Sequence, residues 1–297
     1  MPESVVLLAN PAAGSGRARR LAARAAALLS AGGLRLETIV SRGAGHLAEV
    51  AAAEAARGRA RLIAAGGDGT LSEVARGLLS VPGAPTALGI VPLGTGNDFI
   101  KSAGLPRSWR AACRRLAAGF ETRRVDAGRV DGRYFINGVG FGFDAAMARA
   151  TLRYKRLPGA LGYAAGLVDA LRAGVGRPVC TIRWDGGEDR RAVTLVAACN
   201  GQYAGGLFRL APDALLDDGR LDLLWADALT RRQVLRHAPR VIRGTHQQLR
   251  VAHCARSRRV EIASDTPLPL QADGELVGDL HRAVAIESAP GALLLWT

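Results

Sequence analysis

Residues 66–70 read Gly66-Gly67-Asp68-Gly69-Thr70. Glycines on both sides of an acid let the backbone approach a ligand closely and adopt left-handed conformations. The amides that open a following helix can then hold phosphate. An acid in such a loop suits a phosphate accompanied by a cation, so Asp68 suggests Mg²⁺ held beside the phosphates of ATP. A tight strand-to-helix turn with Asp68 as helix cap is the structural alternative. Two further loops share the texture: Asn10-Pro11 with Gly14 and Gly16, and Leu93-Gly94-Thr95-Gly96-Asn97-Asp98. Far along the chain, Asp273-Gly274-Glu275 sets two carboxylates on one short turn. Carboxylates so placed suit proton removal from a hydroxyl nucleophile, although Asp-Gly is also a plain hairpin signal.

The elements that must carry these loops alternate in the first part of the chain. Short apolar runs at 5–9, 34–40, 62–65 and 87–91 read as strands, and helical patterns follow the first run and occupy 46–57 and 71–79. This rhythm predicts a parallel sheet covered by helices, with ligands at the carboxyl ends of the strands. All the glycine-rich loops fall at such ends. Past Asp126 the pattern changes to strand-like runs at 134–139, 179–184, 192–198 and 221–226. They are separated by Asp131-Gly132, Asp185-Gly186-Gly187, Asp218-Gly219 and Asp273-Gly274. Antiparallel β structure, a β-rich sandwich, is expected there, with helices at 159–172 and 231–242. The last apolar run, 292–296, either closes the second domain or returns to the first.

The order NPxxGxG, GGDGTxxE and PLGTGND resembles the catalytic domain shared by diacylglycerol, sphingosine and ceramide kinases, and bacterial YegS-like lipid kinases. The blocks Val125-Asp126, Asn137 to Asp144, Asn200 to Gly206, Ala211 to Asp222 and Asp273 to Glu275 continue it over nearly the whole chain. The resemblance implies an α/β nucleotide-binding domain of NAD kinase-like type over 1–128. A β-rich lipid-substrate domain would cover 129–297, with 291–297 free to return to the first. It places Asn10, Pro11, Gly14, Gly66, Gly67, Asp68, Gly69, Thr70, Glu73 and Thr95 around ATP, with Ser41 standing where the family often has Thr. Asp68, Asp98 and Asp126 resemble an acidic network that organises catalytic Mg²⁺. Asp273 and Glu275 match the family's catalytic block, and the choice of base between them is open. The turn at Asp218 resembles a second, structural Mg²⁺ site, completed by backbone carbonyls near Leu215 and Arg220. The expected reaction is γ-phosphoryl transfer from ATP to a lipid hydroxyl, with diacylglycerol or a related glycerolipid as acceptor and the active site between the domains. NAD kinase, which shares GGDGT, is the enzymatic rival. A catalytically silent nucleotide-binding regulator is the other, and the retained acids speak against it.

The chain has 297 residues, a formal charge of +14 and basic residues that are nearly all arginine. Codon composition accounts for this blandly; attraction to an anionic membrane accounts for it functionally. No basic run is interleaved with aromatics, so nucleic acid is not expected as a partner. The segment around 154–171 mixes Arg153, Lys155 and Arg156 with Leu157, Leu161, Tyr163 and Leu167, a mixture that suits a membrane surface as well as an ordinary packed helix. No transmembrane run or leader is read. Cys113, Cys180, Cys199 and Cys254 form no CxxC pair, which fits reduced thiols. These features point to a cytoplasmic protein associated peripherally with membrane. The pattern leaves room for a homodimer.

Overall fold

The computed structural model describes residues 4–154 and 160–297. Lys155, Arg156 and Leu157 of the mixed basic and apolar segment lie outside the described residues. Two compact units are present: residues 1–125 with 291–297, and residues 126–290.

In the first unit β1 (Val5–Ala9), α1 (Ala18–Ala31), β2 (Leu36–Val40), α2 (His46–Ala56), β3 (Arg61–Gly66), α3 (Asp68–Leu79) and β4 (Ala87–Pro92) alternate, followed by α4 (Asp98–Ser102) and α5 (Trp109–Ala118). Strand β1 pairs in parallel with β2 and β3, and β3 pairs in parallel with β4. Strands β1 and β4 are buried at every position, as expected where helices cover both faces of a parallel sheet. Val5, Leu7, Ile63, Val91 and Cys113 share a core with Leu29 of α1. The chain terminus belongs to this core. Leu294 and Leu295 pair in parallel with Ala87 and Leu88, and the indole N–H of Trp296 donates to the Gly119 carbonyl at 2.8 Å.

The strand β5 (Thr122–Val130) leads into the second unit. It contains β6 (Arg133–Phe135), β7 (Gly138–Gly142), α6 (Phe143–Thr151), α7 (Ala160–Ala173), β8 (Val179–Trp184), β9 (Gly187–Cys199), β10 (Leu221–Asp227), α8 (Arg231–Arg243), β11 (Ala252–Ser257), β12 (Arg259–Leu268), β13 (Leu270–Ala272), β14 (Glu275–Leu276) and the first part of β15 (His281–Trp296), whose residues from 291 on belong to the first unit. The strand β9 is long enough to serve two sheets. Residues 187–192 pair with β8, and residues 193–199 pair with β7 and β10, all antiparallel. Alternate side chains from the two sheets, Ile182, Val260 and Ile286 from one and Phe141, Val196 and Leu223 from the other, fill one core. Period-two burial from two facing sheets is the signature of a sandwich. The intervening residues of β9 and β10, among them Leu195 and Leu224, point to the opposite face, which α6, α7 and α8 cover.

One expected strand, 134–139, is broken into β6 and β7. The amides of Ile136 and Asn137, which a continuous strand would spend on a ladder, donate instead to the side chain of Asp273.

Candidate functional site

In the first unit the glycine loops meet through their backbones. A Cβ on Gly94 would lie 2.4 Å from the Gly67 Cα, and a Cβ on Gly14 would lie 2.6 Å from the Leu93 carbonyl oxygen. Only residues without side chains allow the loops at 10–16, 66–70 and 93–98 to pack this closely. The helix α3 begins at Asp68, so the Gly-Asp-Gly-Thr run is its first turn. Asp68 Oδ2 accepts from the Asn97 amide and Oδ1 from the Asp98 amide, each at 2.6 Å. The acid thereby ties the second loop to the third and satisfies amides at the start of α4. Asn97 takes a left-handed φ of 54° to present its N–H. Burial, followed by the charge of Asp98, pushes the Asp68 carboxyl up to about 6. Asp98 is buried and accepts from Lys101 Nζ at 3.0 Å.

The remaining residues expected at the nucleotide are held as follows. Asn10 Oδ1 accepts from the Ala12 amide at 3.0 Å, closing a local turn before Gly14. Pro11 and Gly14 are half-buried. Gly66 makes room for the buried Thr70, whose Oγ1 would lie 2.3 Å from an added Cβ. Gly69 and Thr95 are exposed. Ser41 donates from Oγ to the Gly43 carbonyl at 3.0 Å. Glu73 is buried and its Oε1 accepts from the Leu47 amide at 3.0 Å, at the first turn of α2.

A divalent cation at the Asp68–Asp98 pair would find oxygen donors only, as hard cations require. The buried Oδ1 of Asn97, between those acids in sequence and adjoining the amide that Asp68 holds, has no hydrogen-bond partner. That orphaned oxygen and two mutually repelling carboxylates fit Mg²⁺. No group of three His, Cys, Asp or Glu side chains placed to hold a metal occurs among the described residues, so carbonyl, amide or phosphate oxygens would have to complete the shell.

In the second unit Asp273 and Gly274, with φ of 50° and 82°, form the two-residue turn of the β13–β14 hairpin, in which Ala272 pairs with Glu275. The Asp273 carboxylate accepts from Ile136 N (2.9 Å), Asn137 N (2.8 Å) and Gly138 N (3.1 Å). Glu275 is paired with Arg133, and its side chain keeps 44% of its surface exposed. The two acids thus differ: Asp273 is built into the backbone, and Glu275 reaches solvent.

Asp126 N donates to the Leu216 carbonyl at 2.6 Å, and its Oδ2 accepts from the Gly219 amide at 2.6 Å. The Asp218 side chain accepts from the Arg220 amide at 3.0 Å. Asp126 and the 215–220 turn are therefore brought together. Asn200, fully buried, donates from Nδ2 to the carbonyls of Asp126 (2.9 Å) and Ile136 (2.8 Å). It links the Asp126 turn to the segment that Asp273 holds. Sequence reasoning assigned no role to Asn97, Asn200, Lys101 or Arg133. The first two stand inside the recognised blocks, and that was their only signal.

Beside this network, on the sheet face opposite the sandwich core, lies an apolar pocket of about 860 Å³ of empty space, its open mouth included. Met147, Leu167, Leu195, Phe208, Leu224 and Val241 are among its walls.

The sequence matches two family models. The diacylglycerol kinase catalytic domain covers residues 4–130, and the YegS C-terminal NAD kinase beta sandwich-like domain covers 137–297. The chain belongs to the diacylglycerol kinase and YegS-like lipid kinase family. It is 36% identical over 241 residues to the "Probable lipid kinase YegS-like" of Chromohalobacter salexigens, covering 80% of this chain and 76% of that one. It is 30% identical over 276 residues to the diacylglycerol kinase of Bacillus subtilis, covering 92% and 90%. A crystal structure of a diacylglycerol kinase from Bacillus anthracis superposes with a TM-score of 0.77 at 21% identity, over 99% of this chain and 97% of that one. That likeness is one of fold. Membership in a lipid kinase family makes this chain a kinase by descent and gives the two units their types: an α/β domain and a sandwich. Among the described residues no helix is long and apolar enough to cross a membrane.

Proposed function

We propose that this lipid kinase transfers the γ-phosphoryl group of ATP to the hydroxyl of a glycerolipid, with diacylglycerol as the first acceptor to examine. The observation that carries the proposal is the apolar pocket of the sandwich unit. Its apolar walls and open mouth suit an acyl chain. A dinucleotide acceptor, the substrate of the NAD kinase alternative, would leave its ribose and phosphates unsatisfied against such walls.

The nucleotide falls to the first unit. The close-packed loops expose backbone at the start of α3, where helix amides lack intrahelical partners and favour anionic phosphate. Asp68 and Asp98, with the Asn97 side-chain oxygen, would hold Mg²⁺, which when bound neutralises charge on the phosphates. The carboxylate turn serves the acceptor. Asp273 fixes the turn against residues 136–138, and the pair Asp273 and Glu275 supplies the group that takes the hydroxyl proton. Asp218, with the carbonyls of Leu215 and Arg220, is proposed as a structural Mg²⁺ site that steadies the turn beside Asp126.

Peripheral attachment to an anionic membrane belongs to the same proposal. Helix α8 carries Arg232, Arg236, Arg240 and Arg243 on its exposed side, and among the described residues none of them forms an ion pair. Val234 and Val241 of the same helix line the pocket, so the basic stripe lies on an element that walls the acyl site.

Incubating the protein with Mg²⁺, γ-labelled ATP and mixed vesicles containing single candidate lipids, with mass analysis of the product, tests the proposal. A phosphorylated lipid supports it. Label transferred to NAD and to no lipid overturns it.

A further inference from the structure

Asp144 opens α6, lines the apolar pocket and takes no part in the chemistry assigned above. Its Oδ2 accepts from Gln271 Nε2 at 2.7 Å. Gln271 Oε1 accepts from the Gly274 amide at 2.7 Å. The orientation of the glutamine follows from chemistry: a backbone N–H must face oxygen, so the amide nitrogen faces Asp144. Both side chains are buried. The space they occupy is provided by Gly140, where an added Cβ would lie 1.7 Å from Asp144 Oδ2 and 2.8 Å from Gln271 Nε2. A chain of hydrogen bonds therefore runs from the wall of the pocket to the peptide between Asp273 and Glu275.

We infer that Asp144 is a positioning residue: through Gln271 it holds the Gly274 amide and so sets the carboxylate turn, tying that turn to the wall of the lipid pocket. Asp273 anchors the turn from one side, by three amides of residues 136–138. Gln271 anchors it from the other. Without the second anchor the peptide carrying Glu275 keeps its hairpin pairing but loses its fixed orientation, and misplacement near 1 Å is enough to cost about a hundredfold in rate. Burial pushes the Asp144 carboxyl up, so it meets Gln271 as a neutral acid over a wider pH range than an exposed aspartate. A neutral carboxyl still accepts through its carbonyl oxygen, which is all the link requires.

This inference rests on the proposed role of the turn, and the test separates the two. In the lipid kinase assay Asp144→Leu and Gln271→Leu lower kcat about tenfold to a hundredfold, with the KM for Mg·ATP unchanged. Asp144→Asn, which keeps the accepting oxygen, retains at least half of wild-type kcat. Gln271→Glu faces a second carboxyl toward Asp144, so the two acids must share a proton. Its activity falls as pH rises in a limb that wild type lacks. Amide exchange at Gly274, measured without lipid or nucleotide, accelerates in Asp144→Leu, and Asp144→Asn returns it to the wild-type rate. Unchanged Gly274 exchange in a folded Asp144→Leu, or an Asp144→Asn variant as impaired as Asp144→Leu, overturns the inference. If wild type phosphorylates no lipid while Gly274 exchange responds as described, the link stands and the lipid kinase reading fails.

Discussion

The loop at 66–70 and the turn at 273–275 use the same device to opposite ends. In each, an aspartate accepts backbone amides from a neighbouring segment: Asp68 from Asn97 and Asp98, Asp273 from Ile136, Asn137 and Gly138. Around Asp68 the result is crowded and charged. Glycine backbones are in contact, a second buried acid stands beside the first, and the Asp68 carboxyl is pushed up to about 6. Around Asp273 the result is open, with Glu275 of the same turn reaching solvent. Close glycine packing around two neighbouring acids suits a cation and phosphates. A rigid turn presenting a reachable carboxylate suits proton transfer. The acids most conspicuous in the sequence, Asp68 and Asp273, therefore also do architectural work, and substitutions there disturb structure and chemistry together.

Asp68→Ala should have the largest effect. Removing the acid strands two amides, at about 1–3 kcal/mol each when buried, and removes half of the proposed cation site. Lipid phosphorylation is expected to disappear and calorimetric Mg·ATP affinity to fall. Unchanged affinity and turnover would remove Asp68 from the nucleotide site and leave it a cap alone.

Filling the pocket should affect one unit only. Ala226 of β10 lines the pocket, and Ala226→Trp would occupy much of its space. The KM for a long-chain glycerolipid is expected to rise about tenfold, the order of one or two lost methylene contacts, with Mg·ATP affinity unaltered. Equal kinetics for long and short chains in both proteins would argue against the pocket as the acyl site.

The raised Asp68 carboxyl predicts pH effects of definite sign. Between its usual value of 3.8 and about 6, the folded state holds more of this proton than the unfolded state. Its contribution to stability therefore declines as pH rises through that window. Cation binding needs the ionised form, so Mg·ATP affinity should rise as pH climbs through about 6. Melting and titration series from pH 4 to about 8 on wild type and Asp68→Asn check both trends, and the variant should flatten them.

The change expected at α8 concerns membrane attachment and leaves turnover on soluble acceptors untouched. Replacing Arg232, Arg236, Arg240 and Arg243 with glutamine should weaken co-sedimentation with anionic vesicles, by about 1 kcal/mol per residue at low salt. The difference should shrink as ionic strength increases. Equal binding of wild type to neutral and anionic vesicles would return the positive charge to codon composition.

Much of this was legible in the sequence. The strand–loop–helix rhythm marked the parallel sheet because buried parallel strands read as unbroken apolar runs, as 5–9 and 62–65 do. The Asp-Gly turns marked the hairpins because that dipeptide tolerates the positive φ that Asp131 and Asp273 adopt. Contacts between distant segments were not legible. Nothing local to 134–139 reveals that its middle amides serve Asp273, and nothing in Glu73 reveals that it caps α2. Asn200 and Gln271 donate from their side chains across intervals of many residues, Asn97 reaches Asp68 through its backbone N–H, and single side-chain amides carry no periodicity. The apolar pocket was hidden for a related reason: its walls come from α6, α7, α8, β9, β10, β11 and the loops between them, segments far apart in the chain.

The division of labour between the units is tested most directly by single-turnover transfer from Mg·ATP to a competent lipid, with ATP affinity measured on the same proteins. Glu275→Gln is the cleaner variant, since Glu275 pairs with Arg133 and Asp273 with backbone. In Asp273→Asn one side-chain position becomes an N–H₂ facing amide donors, so that variant also loosens the turn. The transfer rate is expected to fall on the order of a hundredfold to ten-thousandfold in one or both, with Mg·ATP affinity unchanged and the two losses not multiplying in the double variant. Wild-type transfer rates in both amide variants would contradict that division and reduce the carboxylate turn to a hairpin.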